Sequence, residues 1–250
     1  MAGRAEGRKY ILKNMIPGEF EYQLALQKRL SSCPNVRAVV DTIQNLDLFI
    51  YSFLDGDLLR LNIKPDNILV DYEEDAAGQI RVKEVQISDL EDTVIVPPGK
   101  WLRGPLCGNA IWRRPESWCR SRQNQASDVF SFGIVMIYVM VNDMVFRVSD
   151  SQLNAPDSWR YILRKHISYF ADQDGLNGLL QHIGEENAFY ERLVSLANSF
   201  TPGDLRQPFH TWDYVEPDLR DLVGKMTNLD PTKRITAGEA LQHHWFTQSS

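Results

Sequence analysis

Cysteine is scarce in this chain, and the few residues present stand apart. Cys33, Cys107 and Cys119 are the three in 250 residues, and no C-x-x-C pair occurs. This excludes a disulfide scaffold and a cysteine zinc site, and it suits a reducing compartment, cytoplasmic or nuclear. Histidine is also sparse. Of the five, only His243 and His244 are neighbours, so spacing reveals no metal cluster. Positive charge is not in excess: 27 Lys and Arg against 33 Asp and Glu leave a net charge of −6. No global basic field therefore draws the chain to nucleic acid or to anionic lipid. Long hydrophobic runs are missing too. The longest, FGIVMIYVMV from Phe132 to Val141, falls short of the roughly 20 residues a bilayer span needs and reads as a buried core helix. The opening MAGRAEGRKY has no apolar signal-peptide region. The expected partners thus include neither nucleic acid nor membrane. No G-x-G-x-x-G occurs.

What is present is ordinary for a soluble globular protein: 43% hydrophobic and 24% charged residues, in a chain long enough to bury a large core. Tyr10–Lys13 reads as a strand, and Phe20–Leu30 as a helix stopped by SSCPN. Val36–Val40 and Leu46–Phe53 read as a strand pair, as do Ile68–Val70 and Arg81–Ile87 around an acidic turn. Val94–Ala110 holds Pro97, Pro98, Gly99, Gly104, Pro105 and Gly108 and reads as a long loop. From Gln125 onward the pattern turns helical. Ser127 or Asp128 is the expected cap of a helix whose body is Val129–Val141. Further helices are expected at Trp159–Phe170, Leu176–Ile183, Ala188–Ser199, Pro217–Thr227 and Ala237–His243. The fold class is α+β: a small mixed part, then a larger helical one.

Several short stretches carry more than structure. LNIKPDNILVDY, Leu61–Tyr72, sets Lys64 and Asn67 two and five residues after Asn62. QISDLEDT places Asp89 directly after a strand. Each alone is weak, since K-P-D-N is a common turn sequence and Asp89 reads equally as a solvated loop acid. Their order along the chain is more specific. RRPESW follows at Arg113–Trp118, then ASDVFSFGIVMIYVM at Ala126–Met140, then LVGKMTNLDPTKRITAGEALQHHWF at Leu222–Phe246.

In that order the chain resembles the eukaryotic-type protein kinases, Ser/Thr-like, from about Tyr10 to Phe246. The resemblance implies a protein-kinase-like fold with a truncated small lobe and hinge over 1–57 and a mainly helical large lobe over 58–250. It implies ATP and Mg²⁺ as cofactors, and transfer of the γ-phosphate to protein Ser/Thr. Position 62 is where the family carries its base, an aspartate; here it is Asn62. Lys64 and Asn67 match the catalytic-loop lysine and a Mg²⁺ ligand, and Asp89 the second Mg²⁺ ligand, although its triplet reads Asp-Leu-Glu. KYILKNM makes Lys13 the ATP-binding lysine. Its glutamate partner is expected near Gln23, and Glu21, two residues away, should point elsewhere on the helix. Glu116 and Arg234 match a structural ion pair, and Asp128 an acid that braces the catalytic loop. Asn109 occupies the place of a threonine that touches the loop in Ser/Thr kinases. Between Glu91 and Glu116 the only hydroxyl side chain is Thr93, so switching by phosphorylation of this loop is not supported.

Two departures stand against activity. Nine residues precede Tyr10, too few for the two strands and glycine-rich loop with which the family opens. FIYSFLDGDLLRL, Phe49–Leu61, runs from strand and hinge straight into the catalytic loop, where the family has a long helix packed against the central one. An internal deletion ending inside that loop is the simplest account, in a shortened protein or in a misread gene. Two functional classes follow: a kinase with impaired transfer, or a non-catalytic pseudokinase acting as a protein-binding module. The first keeps ATP and a protein substrate as partners; the second needs only a binding partner. With no covering helix, Val129–Val141 is expected to expose an apolar face.

Overall fold

The computed structural model describes residues 2–5, 8–54, 56–57, 67–90, 93–104, 106 and 108–247. Packing divides the chain into two compact units, Met1–Ile95 and Val96–Ser250. The lobe division expected at 57/58 is drawn at the hinge rather than by contacts, and residues 58–66 beside it lie outside those described.

In the first unit, strands β1 (Ala2–Ala5), β2 (Arg8–Asn14), β3 (Asp41–Ile43) and β4 (Leu48–Ser52) form an antiparallel sheet in the order β1-β2-β4-β3. Strand β1 was not expected; four residues before Arg8 are enough to pair with β2, Ala2 opposite Ile11. Helix α1 (Phe20–Leu30) packs its inner face on this sheet, with Phe20 edge-on to Phe49 at 5.0 Å. The core there is Met15, Phe20, Phe49 and Tyr51. A second antiparallel sheet holds β5 (Gly56–Asp57), β6 (Ile68–Glu74) and β7 (Ile80–Ile87).

The strand expected at Val36–Val40 does not form. Its backbone groups bond to three different partners. Arg37 N–H donates to Ile87 O at 2.9 Å, Val39 N–H to Gln27 Oε1 at 3.1 Å, and Val40 N–H to Ile50 O at 2.9 Å. A β-branched run favours a strand only if one neighbour offers a continuous ladder. The strand instead begins at Asp41, one residue after the run ends.

The second unit opens with the two-residue strand β8 (Leu102–Arg103), inside the expected loop, and its partner β9 (Arg122–Gln123). The rest is helical: α2 (Pro115–Trp118), α3 (Gln125–Val141), α4 (Asp150–Leu153), α5 (Ser158–Phe170), α6 (Gln173–Ile183), α7 (Tyr190–Ala197), α8 (Pro217–Met226), α9 (Ala237–Leu241) and α10 (His244–Thr247). Helix α3 starts earlier than the sequence pattern suggests. Asn124, not Ser127 or Asp128, is its cap, accepting the Ala126 N–H at 3.0 Å. The helix ends on Asn142 in the left-handed region, φ 57°, a conformation asparagine tolerates better than most. A Thr236–Glu239 capping box starts α9.

Phe130, Ile134 and Ile137 of α3, Leu219, Leu222 and Val223 of α8, and Ile162, Leu163 and Ile167 of α5 share one core. Each such side chain contributes about 1.5–3 kcal/mol when fully buried. Helix α6 approaches the turn after α8 so closely that a Cβ on Gly178 would sit 2.3 Å from an Asp230 carboxylate oxygen.

The opposite face of α3 is different. Phe132, Val139 and Met140 are exposed, at 46%, 38% and 53%. Seven- and eight-residue spacing puts them on one side of the helix. No helix among the described residues is long and apolar enough to cross a membrane.

Candidate functional site

Lys13 lies on β2, opposite Phe49 of β4. Asn67 immediately precedes β6, and Asp89 stands two residues after β7, the antiparallel partner of β6. The hairpin therefore returns the chain from Asn67 to Asp89. Ser88 N–H donates to Asn67 O at 2.7 Å and fixes the spacing of the two. Asp89 adopts φ +63°, a left-handed turn open to aspartate at modest cost. Its carboxylate forms an ion pair with Lys13 Nζ. Lys13, Asn67 and Asp89 thus line one cleft of about 240 Å³, together with Ile11, Arg37, Tyr51 and Ser88. The ion pair is half-exposed, 41% for Lys13 and 50% for Asp89, so it is a polar and wettable contact.

The α1 positions fall as helix geometry requires. Gln23 is buried on the face toward the sheet, and Glu21 is exposed, accepting from Gln44 Nε2 at 3.0 Å. The buried place thus carries an amide and no charge. Asn62 and Lys64 lie outside the described residues.

The structural group lies wholly in the second unit. Arg234 donates Nη1 to Glu116 Oε1 at 2.6 Å and Nη2 to Oε2 at 2.7 Å, with both side chains fully buried. Ser127 Oγ–H donates to the same carboxylate at 2.7 Å, and Arg234 Nε–H to Asn228 O at 2.7 Å. The guanidinium also lies 4.7 Å over the Phe130 ring. Burial alone would raise the Glu116 pKa; the Arg234 charge and the hydrogen bonds from Arg234 and Ser127 outweigh it, and the net shift is downward. Asp128 stands in the first turn of α3; by surface area the residue is exposed, yet partial burial of its carboxyl raises the pKa against the opposing charge of Arg114. Asn109 Oδ1 accepts from Ile111 N–H at 3.2 Å, starting the short 3₁₀ turn Ala110–Trp112.

One grouping of metal-ligating side chains stands out among the described residues: donor atoms of Asp221, His243 and His244 lie within 4.8 Å of one another. It was not visible from spacing because Asp221 is 22 residues away. Its hydrogen bonds are those of a closed polar cluster. Trp245 N–H donates to His243 Nδ1 at 3.3 Å, so Nε2 carries the hydrogen that reaches Asp221 at 2.8 Å. Lys225 Nζ donates to Asp221 at 2.6 Å and supplies the positive charge there.

Arg37 is the cleft residue that motif reading passed over. Its signal was slight, a single basic residue inside NVRAVV.

Comparison with known proteins identifies the family. A family model described as Protein kinase domain matches residues 49–246. A putative ribosomal protein S6 kinase alpha-1 of Caenorhabditis elegans is 21% identical over 92% of this chain and 24% of its own length. The calcium/calmodulin-dependent protein kinase type II subunit delta of Oryctolagus cuniculus is 21% identical over 97% of this chain and 36% of its own. The chain spans about a quarter to a third of the length of these curated relatives.

Proposed function

The chain belongs to the protein kinase family, and from that premise we propose that it binds a Mg²⁺-phosphate ligand in its first unit while transferring little or no phosphate to protein Ser/Thr. The observation that carries this is the meeting of Lys13, Asn67 and Asp89 in one cleft. In the family, bound ATP supplies the transferable phosphoryl group and Mg²⁺ offsets its charge. The donor set suits that ion: an amide oxygen from Asn67 and a carboxylate from Asp89, both hard oxygen ligands. Lys13 supplies the point charge for phosphate oxygens.

The residues that would turn binding into transfer are the ones that have changed. Asn62 carries an amide, which orients a hydroxyl but takes no proton; loss of a general base typically costs about 10²–10⁴-fold. Gln23 brings no charge to hold Lys13, whose partner is Asp89. No glycine-rich phosphate loop occurs in the 250 residues. The test is γ-phosphate transfer to a generic Ser/Thr substrate by the chain as it stands and by Asn62→Asp. The expected result is incorporation at background for the first and only a small rise for the second. Robust transfer by the unaltered chain overturns the reading.

A second reading, a binding module without nucleotide, is favoured by the exposed Phe132, Val139 and Met140. Exposed apolar patches mark interaction or aggregation surfaces. It predicts poor solubility in isolation, relieved by Phe132→Ser with Met140→Ser, and no ligand-induced stabilisation by Mg²⁺-ATP. A soluble, monomeric unaltered chain counts against it.

A further inference from the structure

The cleft holds a second cation that no motif assigns. Arg37 is fixed at both ends. Its backbone N–H donates to Ile87 O at 2.9 Å. Its guanidinium lies 5.2 Å over the Tyr51 ring and donates through Nε at 3.2 Å, and also through Nη2, to Ser52 O at the end of β4. Tyr51 is held in turn by Gln27, whose Nε2 donates to the phenol oxygen at 3.3 Å. Arg37 is thus part of the wall.

A nucleobase needs a flat apolar or aromatic face to stack on and a backbone group to read its edge. Among the described lining residues Tyr51 is the aromatic ring, and the Arg37 guanidinium lies over it. The Ser52 carbonyl at the strand end already accepts from Arg37. Ile11 is the aliphatic side chain among the described lining residues; otherwise the cleft offers charge and hydrogen bonds, Lys13 and Arg37 against Asp89 with Asn67 and Ser88 beside them. Its volume, about 240 Å³, is below the roughly 300–1,000 Å³ of pockets that enclose drug-sized ligands.

We propose that Arg37 makes this a polyphosphate site indifferent to the base: the cleft recognises a Mg²⁺-bound triphosphate whether or not a nucleoside is attached. The proposal rests on the phosphate-binding reading above and narrows its ligand. A planar guanidinium matches phosphate oxygens in pairs, where a lysine acts as a point charge.

The experiment is isothermal titration of the whole 250-residue chain, in Mg²⁺, with tripolyphosphate, ATP, GTP and adenosine. Tripolyphosphate, ATP and GTP should bind within about threefold of one another, and adenosine should not bind at concentrations up to about 1 mM. Arg37→Leu should weaken tripolyphosphate about tenfold and, by uncovering Tyr51, shift the preference toward ATP. Arg37→Lys, which keeps the charge but not the paired geometry, should recover only part of the tripolyphosphate affinity that Arg37→Leu loses while also gaining preference for ATP, and this graded response separates a specific role from damage to the fold. ATP binding more than about tenfold tighter than both GTP and tripolyphosphate overturns the inference and leaves the phosphate cleft standing. Absence of binding by every phosphate overturns both.

Discussion

The two packing units hold their characteristic charges in opposite ways. The first unit keeps Lys13 and Asp89 half-exposed beside a core of Met15, Phe20, Phe49 and Tyr51. The second keeps Glu116 and Arg234 without solvent contact inside a core shared by α3, α5 and α8. A buried pair is stable only as a pair, because removing one partner strands the other charge. An exposed pair contributes little, so its loss is tolerated by the fold. By this contrast, substitution at the half-exposed Lys13 and Asp89 is resisted by function more than by the fold, whereas substitution at Glu116 or Arg234 is resisted by the fold itself.

The largest test of this contrast is to break the buried pair. Arg234→Met or Glu116→Ala should cost the second unit about 3–5 kcal/mol, read as a lowered urea midpoint. Tryptophan fluorescence isolates the effect, since all six tryptophans lie beyond residue 95. The pair also has a pH signature. The folded pKa of Glu116 lies below its ordinary value. Its stabilisation is therefore full above the unfolded carboxyl pKa near 4.3 and is lost as pH falls below that. Glu116→Gln should remove this acid limb.

A second acid limb belongs to His166. It is buried, stacked on Phe146 at 4.1 Å, and donates Nδ1–H to Ile162 O at 2.9 Å. Burial lowers its pKa to about 4. The unfolded chain, with a pKa near 6.5, binds the proton first. Stability therefore falls between about pH 6.5 and 4, by roughly 3 kcal/mol in all. His166→Phe should flatten that window without touching the Glu116 limb below it. Unchanged slopes in urea titrations at pH 7, 6 and 5 would refute the assignment.

Gly178→Ala is expected to cost about 1–3 kcal/mol, because the new methyl meets the Asp230 carboxylate and must push α6 off the turn. Its readout is the same fluorescence midpoint. Smallest of all is Lys13→Met. By far-UV circular dichroism its stability change should stay within about 0–1 kcal/mol, while binding of Mg²⁺-tripolyphosphate is lost. A large loss of stability would erase the distinction between the units.

How much of this was legible in the sequence follows the same division. Helices α1 and α5 were readable to within a residue because apolar spacing and stop signals agree. The kinase-like architecture was readable from RRPESW, ASDVFSFG and DPTKR, since buried groups allow few substitutes. The cap of α3 was misread because Ser127 and Asp128 are also good caps, and Asn124 won by position. The partner of Lys13 was not legible. Motif spacing directs attention to Gln23, and the actual partner is 76 residues away, brought close by a hairpin. Arg37 was not legible either, because a lone arginine in a β-rich run resembles any surface cation until Tyr51 and Ser52 are seen beneath it.

The Glu116–Arg234 pair joins positions 118 residues apart, and this separation bears on how the protein is made. A ribosome adding about 5–20 residues per second leaves Glu116 waiting roughly 6–24 s for its arginine. Through that interval the nascent second unit carries a carboxylate whose burial is not yet compensated, so its core cannot close around position 116. Closure of the core around position 116 therefore waits for Arg234.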